Sequence, residues 1–101
     1  MKVVRIGSGA GYAGDRIEPA VDLIERGKLD YIGFECLAER TIALANQRKM
    51  KDPETGYDEL LRYRMEHVLE PCVRTGTKLI SSMGAANPKA AVEIMAGMAR
   101  E

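Results

Sequence analysis

The sequence has few of the residues that mark several classes of protein. Tryptophan is absent, and phenylalanine and histidine each occur once among 101 residues. With four tyrosines as the other aromatic residues, the chain offers little material for a surface on which nucleic acid bases stack. Fifteen basic and fifteen acidic residues cancel, so the net charge attracts neither nucleic acid nor an anionic membrane. We therefore expect neither of these partners.

Cysteine and long apolar segments are also scarce. Cys36 and Cys72 are too few for a disulfide framework and too far apart for the spacing of a metal site. No apolar run approaches the roughly 20 residues that cross a bilayer, and the first six residues are too short for a signal peptide. The sequence therefore predicts free thiols, no metal and a cytoplasmic location, and it indicates no particular cofactor.

The pattern of the remaining residues predicts an α/β protein. Residues 2–6 read as a strand, 17–26 as an amphipathic helix and 29–34 as a second strand, which together form a βαβ unit with parallel strands. The later elements are a helix over 39–51, a helix over 58–75 with a kink or break at Pro71, a strand over 78–83 and a helix over 88–100.

The order β-α-β-α-α-β-α predicts a parallel β-sheet with flanking helices, either an open Rossmann-like sheet or part of a barrel. Residues 1–101 form one α/β domain in this interpretation. Because three strands bury a modest core and leave open edges, we expect the N-terminal portion of a larger protein, or a chain that needs partner subunits. A homo-oligomer is the expected assembly.

Each predicted strand runs into a segment rich in small and polar residues: 7–16, 35–41 and 81–88. Ligands of open α/β sheets bind outside the carboxyl ends of the strands, so these segments predict one shared site. The first has glycines at positions 7, 9, 11 and 14 and suits a phosphate or carboxylate, although a tight structural turn is the alternative. A dinucleotide is a further alternative, since Glu35 follows Gly14 by 21 residues.

Four residues of these segments are candidates for catalysis. Asp15, Glu35 and Glu39 can transfer protons, and Cys36 can act as a nucleophile. Structural alternatives are a helix cap formed by Asp15 with Glu18 and a small packing role for Cys36. The candidates for binding a substrate or anion are Gly7, Ser8, Gly9, Gly11, Arg16, Arg40, Thr41, Gly84 and Asn87. Asn87 is alternatively the N-cap of the last helix.

The strand-end strings resemble one known family. They are RIGSGAG (5–11), GDRIEPA (14–20), FECLAERT (34–41) and MGAANP (83–88), together with the turn over 52–58. The chain resembles the start of the acyclic terpene utilisation protein A family. The resemblance implies a bacterial or fungal catabolic protein whose genes lie among those for acyclic terpenoid and branched-acid breakdown, often through CoA thioesters. It also implies a full-length protein several times longer.

The residues and the resemblance together predict a catabolic enzyme domain that acts on a carboxylate or acyl-CoA. The expected reaction is a hydratase- or lyase-type proton transfer. The alternative is a non-catalytic subunit that binds a nucleotide or acyl-CoA or takes part in assembly.

Overall fold

The computed structural model of the chain describes residues 2–100, so Met1 and Glu101 of the predicted domain lie outside the described residues. The strands are β1 (Ile6–Ala10), β2 (Tyr31–Phe34) and β3 (Lys78–Ser81). The helices are α1 (Glu18–Arg26), α2 (Glu39–Lys51), α3 (Leu61–Thr75) and α4 (Pro88–Ala99). The three strands form an open sheet of order β1-β2-β3 in which both pairings are parallel. The predicted fold class and element order are confirmed.

Helices α1, α3 and α4 lie side by side against one face of the sheet. The central strand gives this layer Ile32 and Phe34, which are 0% and 2% exposed. Ile24 of α1 and the Met65 and Val68 side chains of α3 are buried in the same core. Helix α2 stands apart from this layer, and Ala45 is its buried residue.

The first strand begins later than the sequence indicates. The prediction of a strand over residues 2–6 is wrong, because β1 begins at Ile6 and passes through Gly7, Ser8 and Gly9. These glycines allow a close approach: a Cβ added at Gly9 would lie 2.6 Å from the Phe34 ring. The glycines therefore let β1 lie over the core, and the turn begins only after Ala10.

Pro71 does not interrupt α3. The helix runs continuously from Leu61 to Thr75 with Pro71 inside it, so of the kink or break predicted there the break is wrong. The Thr75 hydroxyl donates a hydrogen bond to the Pro71 carbonyl at 2.8 Å. Gly76 then ends the helix in the left-handed conformation, with φ of 74°.

The opposite face of the sheet is left open by residues 2–100. Ile6 and Ile80, which lie on this face by strand register, are 73% and 62% exposed. No helix among the described residues has the length and apolar character to cross a membrane. The homo-oligomer and the partner subunits stay predictions, and the open face marks a surface available to them.

Candidate functional site

A cavity of about 250 Å³ lies at the carboxyl edge of the sheet. Segments that follow all three strands line it: Gly14 after β1, Cys36 and Leu37 after β2, and Ser82 and Ala85 after β3. The remaining walls come from α2 and from the connection between α2 and α3. The strand ends therefore meet around one cavity, as parallel strands require.

An ion pair connects two walls of this cavity. The Arg48 guanidinium of α2 lies 3.1 Å from the Glu59 carboxylate, and its Nη2 donates a hydrogen bond to the Tyr57 carbonyl at 2.8 Å. Behind them, Gly56 is buried with φ of 107°, and a Cβ there would lie 2.9 Å from the Lys49 side chain. Arg48 thus holds α2 against the segment that precedes α3.

Asp58 brings a carboxylate to the cavity wall. Its backbone N–H donates to the Met83 carbonyl at 2.8 Å, and its Oδ1 accepts the Leu60 N–H at 2.8 Å. The side chain is half-buried, and it forms no ion pair with residues 2–100. Asp58 therefore presents a carboxylate at the cavity wall.

Asp15 binds its own loop instead of capping α1. Its Oδ2 accepts the Gly11 N–H at 2.9 Å and its Oδ1 accepts the Arg16 N–H at 2.8 Å, while Ile17 occupies the N-cap. The expected capping role is therefore wrong. The hydrogen bonds from Gly11 and then Arg16 lower the pKa of Asp15 below its ordinary value. A carboxylate stabilised in its charged form is a weak base at neutral pH.

Cys36 lies in the cavity wall as a protonated thiol. Its backbone N–H donates to the Ser82 hydroxyl at 2.9 Å, which connects the ends of β2 and β3. The residue is 3% exposed, and burial raises the pKa of its thiol to about 11. The thiolate is the nucleophilic form, so this environment suppresses its reactivity.

Four of the predicted site residues lie at or near the start of α2: Glu35, Glu39, Arg40 and Thr41. Glu35 is exposed and accepts the Leu37 N–H at 2.9 Å; Glu39 and Arg40 are exposed in the first helical turn. The Thr41 hydroxyl donates to the Ala38 carbonyl at 2.9 Å and lines the cavity. Of the predicted site residues, Cys36 and Thr41 contribute to the cavity lining.

The other predicted binding residues have structural contacts. Arg16 is exposed and lies 3.8 Å from Glu18, and Gly84 lies against Pro88, where a Cβ would be 2.8 Å from the Pro88 Cα. The Asn87 side chain accepts the Ala90 N–H at 3.2 Å, which confirms it as the N-cap of α4. Gly7, Ser8 and Gly9 lie in β1, and Gly11 binds Asp15. Anion binding by these residues stays a prediction.

Comparison with known families agrees with the strand-end motifs. The sequence matches the family model described as acyclic terpene utilisation family protein AtuA over residues 4–101. The chain belongs to the AtuA family. The match confirms the resemblance and indicates a role in acyclic terpene utilisation. Curated proteins and solved structures gave no significant match.

One buried charged residue of this AtuA family chain lies outside the strand-end motifs. Arg64 of α3 is fully buried, and its positive charge acts on both Asp15 and Cys36. It follows Leu61 by three positions and precedes Val68 by four, which places an arginine on the apolar stripe of the helix. That position was the available signal, since a charge on a buried face is rarely accidental.

The reactivity of the Cys36 thiol tests whether this residue is buried in the cavity wall. Because its pKa is raised from 9.0 to about 11, the thiolate fraction at pH 7.5 is about a hundredfold below that of an ordinary thiol. We expect iodoacetamide to alkylate Cys36 slowly in the folded chain. The rate should increase about tenfold for each unit by which the pH is raised, up to a pH of about 11. Peptide mapping by mass spectrometry measures this rate. Equal rates in folded and urea-unfolded chain would contradict the burial of the thiol.

Proposed function

We propose that this chain is a catabolic enzyme domain that binds a carboxylate or acyl-CoA of acyclic terpene or branched-acid degradation and transfers a proton on it. The observation that supports this proposal is the strand-end cavity, which combines apolar walls with the half-buried carboxylate of Asp58. A reaction of the hydratase or lyase type requires both features, since the acyl chain must be held while a proton is moved.

The cavity walls suit a short, branched acyl group. Leu37, Leu44 and Leu60 line it, and the hydroxyls of Thr41 and Ser82 are the uncharged polar groups available to orient a carbonyl. Its volume of about 250 Å³ lies just below the usual range of about 300–1,000 Å³ for ligand pockets. The acyl group proposed to enter the cavity is therefore small, with any CoA portion outside.

Asp58 is the carboxylate that the geometry favours for proton transfer. It lines the cavity, whereas Asp15 is engaged by two backbone N–H groups, and Glu35 and Glu39 are exposed beside the start of α2. Glu59 also lines the cavity, but it is paired with Arg48. Proton transfer by Asp15, Glu35 or Glu39 stays a prediction of the sequence.

Deuterium exchange tests this proposal without knowledge of the complete reaction. The chain is incubated in D₂O with 3-methylbutanoyl-CoA or 3-methylbut-2-enoyl-CoA, and ¹H NMR follows exchange of the protons next to the carbonyl. We expect exchange to fall by about 10²–10⁴-fold in Asp58→Asn, the usual contribution of a proton-transfer group. Asparagine retains the oxygen that accepts the Leu60 N–H, so the fold should be preserved.

Glu66→Gln is the matched control, because Glu66 is an exposed carboxylate on α3 outside the cavity. Its exchange rate should equal that of the unaltered chain. Exchange that is unchanged in Asp58→Asn would contradict the proton-transfer role of Asp58. Binding of either thioester without any exchange would favour the alternative function, a ligand-binding subunit without catalysis.

A further inference from the structure

The side chain of Arg64 is a buried cation without a partner. It is 0% exposed, and its Nε, Nη1 and Nη2 atoms have no hydrogen-bond acceptor among the described residues. A guanidinium has five N–H donors and remains charged in proteins. All of these donors are therefore buried and unsatisfied within residues 2–100.

The burial of an unpaired cation lowers the stability of the fold unless an anion binds to it. Buried charges in proteins are paired or hydrogen-bonded, because the loss of hydration otherwise costs several kcal/mol for each ion. An unpaired buried polar group in a folded protein therefore points to a ligand, an ion or a water molecule that satisfies it. For a planar guanidinium the best partner is a carboxylate or phosphate bound through two parallel hydrogen bonds.

The nearby carboxylates do not pair with Arg64. Both oxygens of Asp15 accept backbone N–H groups, from Gly11 and Arg16. Asp58 accepts the Leu60 N–H through Oδ1. Neither forms an ion pair with Arg64, although the charge of Arg64 acts on Asp15 over a longer distance. The acceptor that Arg64 lacks is thus not supplied by these neighbours.

Cys36 connects Arg64 to the strand-end cavity. Cys36 lines that cavity together with Asp58, and its thiol lies within electrostatic range of both Asp58 and Arg64. The guanidinium therefore lies within electrostatic range of a residue of the cavity wall, although Arg64 itself does not line the cavity. Arg64 must change rotamer for its guanidinium to meet a ligand there.

We propose that Arg64 is the anion-binding residue of the cavity and that it binds the carboxylate of a short, branched-chain free acid. This inference rests on the proposed function, because it places the acyl group of the ligand in the same cavity. It narrows the ligand from carboxylates and thioesters in general to a molecule with a free carboxylate. A thioester carbonyl has no negative charge and would leave the guanidinium uncompensated.

The test compares two probes of nearly equal shape and different charge, 3-methylbutanoate and 3-methylbutanamide. Each is titrated into the ¹⁵N-labelled chain, and the backbone signals of Gly14, Leu37 and Ser82 report occupation of the cavity. The variants are Arg64→Met, Arg64→Lys and the control Arg62→Met, which removes an exposed arginine from the same helix. We expect the carboxylate to bind about tenfold or more tightly than the amide.

Arg64→Met should remove that preference, Arg64→Lys should restore it in part and Arg62→Met should leave it unchanged. Equal binding of the two probes at the cavity would overturn the role of Arg64 and leave the proposed function standing. Binding of neither probe would overturn the role of Arg64, and absence of proton exchange on the CoA thioesters as well would overturn the proposed function. The comparison of probes uses the unaltered chain, so equal binding of the two would overturn the role of Arg64 even if an Arg64 variant does not fold.

Discussion

Arg64→Met is expected to raise the free energy of unfolding of the ligand-free chain by about 1–4 kcal/mol. The substitution removes a fully buried cation with three unpartnered nitrogens and keeps most of the apolar volume of the side chain. Urea unfolding followed by circular dichroism measures the change. A binding role explains why a residue that lowers the stability of the chain lies beside a cavity, because its charge is compensated only in the complex.

Arg62→Met supplies the matched control for this measurement. Arg62 is exposed on the same helix, so its replacement should change the free energy of unfolding by no more than about 0.5 kcal/mol. A loss of about 3–5 kcal/mol in Arg64→Met would contradict our interpretation, because losses of that size follow when one partner of a buried ion pair is removed. Arg64 would then be paired within the chain.

Phe34→Ala is expected to lower the free energy of unfolding by about 3–5 kcal/mol. The Phe34 ring is 2% exposed on the central strand and contacts Gly9 so closely that an added Cβ would lie 2.6 Å from it. Its removal leaves a cavity between the sheet and the helices. Chemical denaturation measures the loss.

Tyr31→Ala is the control for Phe34→Ala, because Tyr31 begins the same strand but lies half-buried on the open face. It contacts Lys78, whose Nζ lies 5.4 Å from the ring centroid. We expect a loss clearly smaller than that of Phe34→Ala. Equal losses would contradict the placement of the core on one face of the sheet.

Much of the fold could be predicted because local signals and packing agree. The helix over 39–51 is confirmed with the predicted bounds, and Asn87 caps α4 through the Ala90 N–H. The first strand could not be placed, because the reason for its glycines is a contact with Phe34, which lies 25 positions further along the chain. Sequence patterns report on neighbours along the chain and not on such close approaches.

The location of the cavity could be predicted from the sequence, but not all of the residues that line it. The strand-end segments meet around one cavity, yet Asp58, which lines it, comes from outside these segments, as does Arg64, which does not line it. Asp58 precedes α3, and a tertiary hydrogen bond to the Met83 carbonyl brings it to the cavity. The position of Arg64 on the apolar stripe of α3 is a sequence signal, but its complete burial and its lack of a hydrogen-bond acceptor are properties of the tertiary structure. Neither position follows from local propensity.

The most direct test of the central claim observes the Arg64 guanidinium itself. In a ¹H–¹⁵N spectrum of arginine Nε–H groups, Arg64→Met identifies the Arg64 signal by its disappearance. We predict that 3-methylbutanoate shifts this signal downfield and slows its exchange with water, while 3-methylbutanamide leaves it unchanged. A signal that stays constant while the cavity amides respond to saturating carboxylate would contradict the assignment of Arg64 as the anion-binding residue.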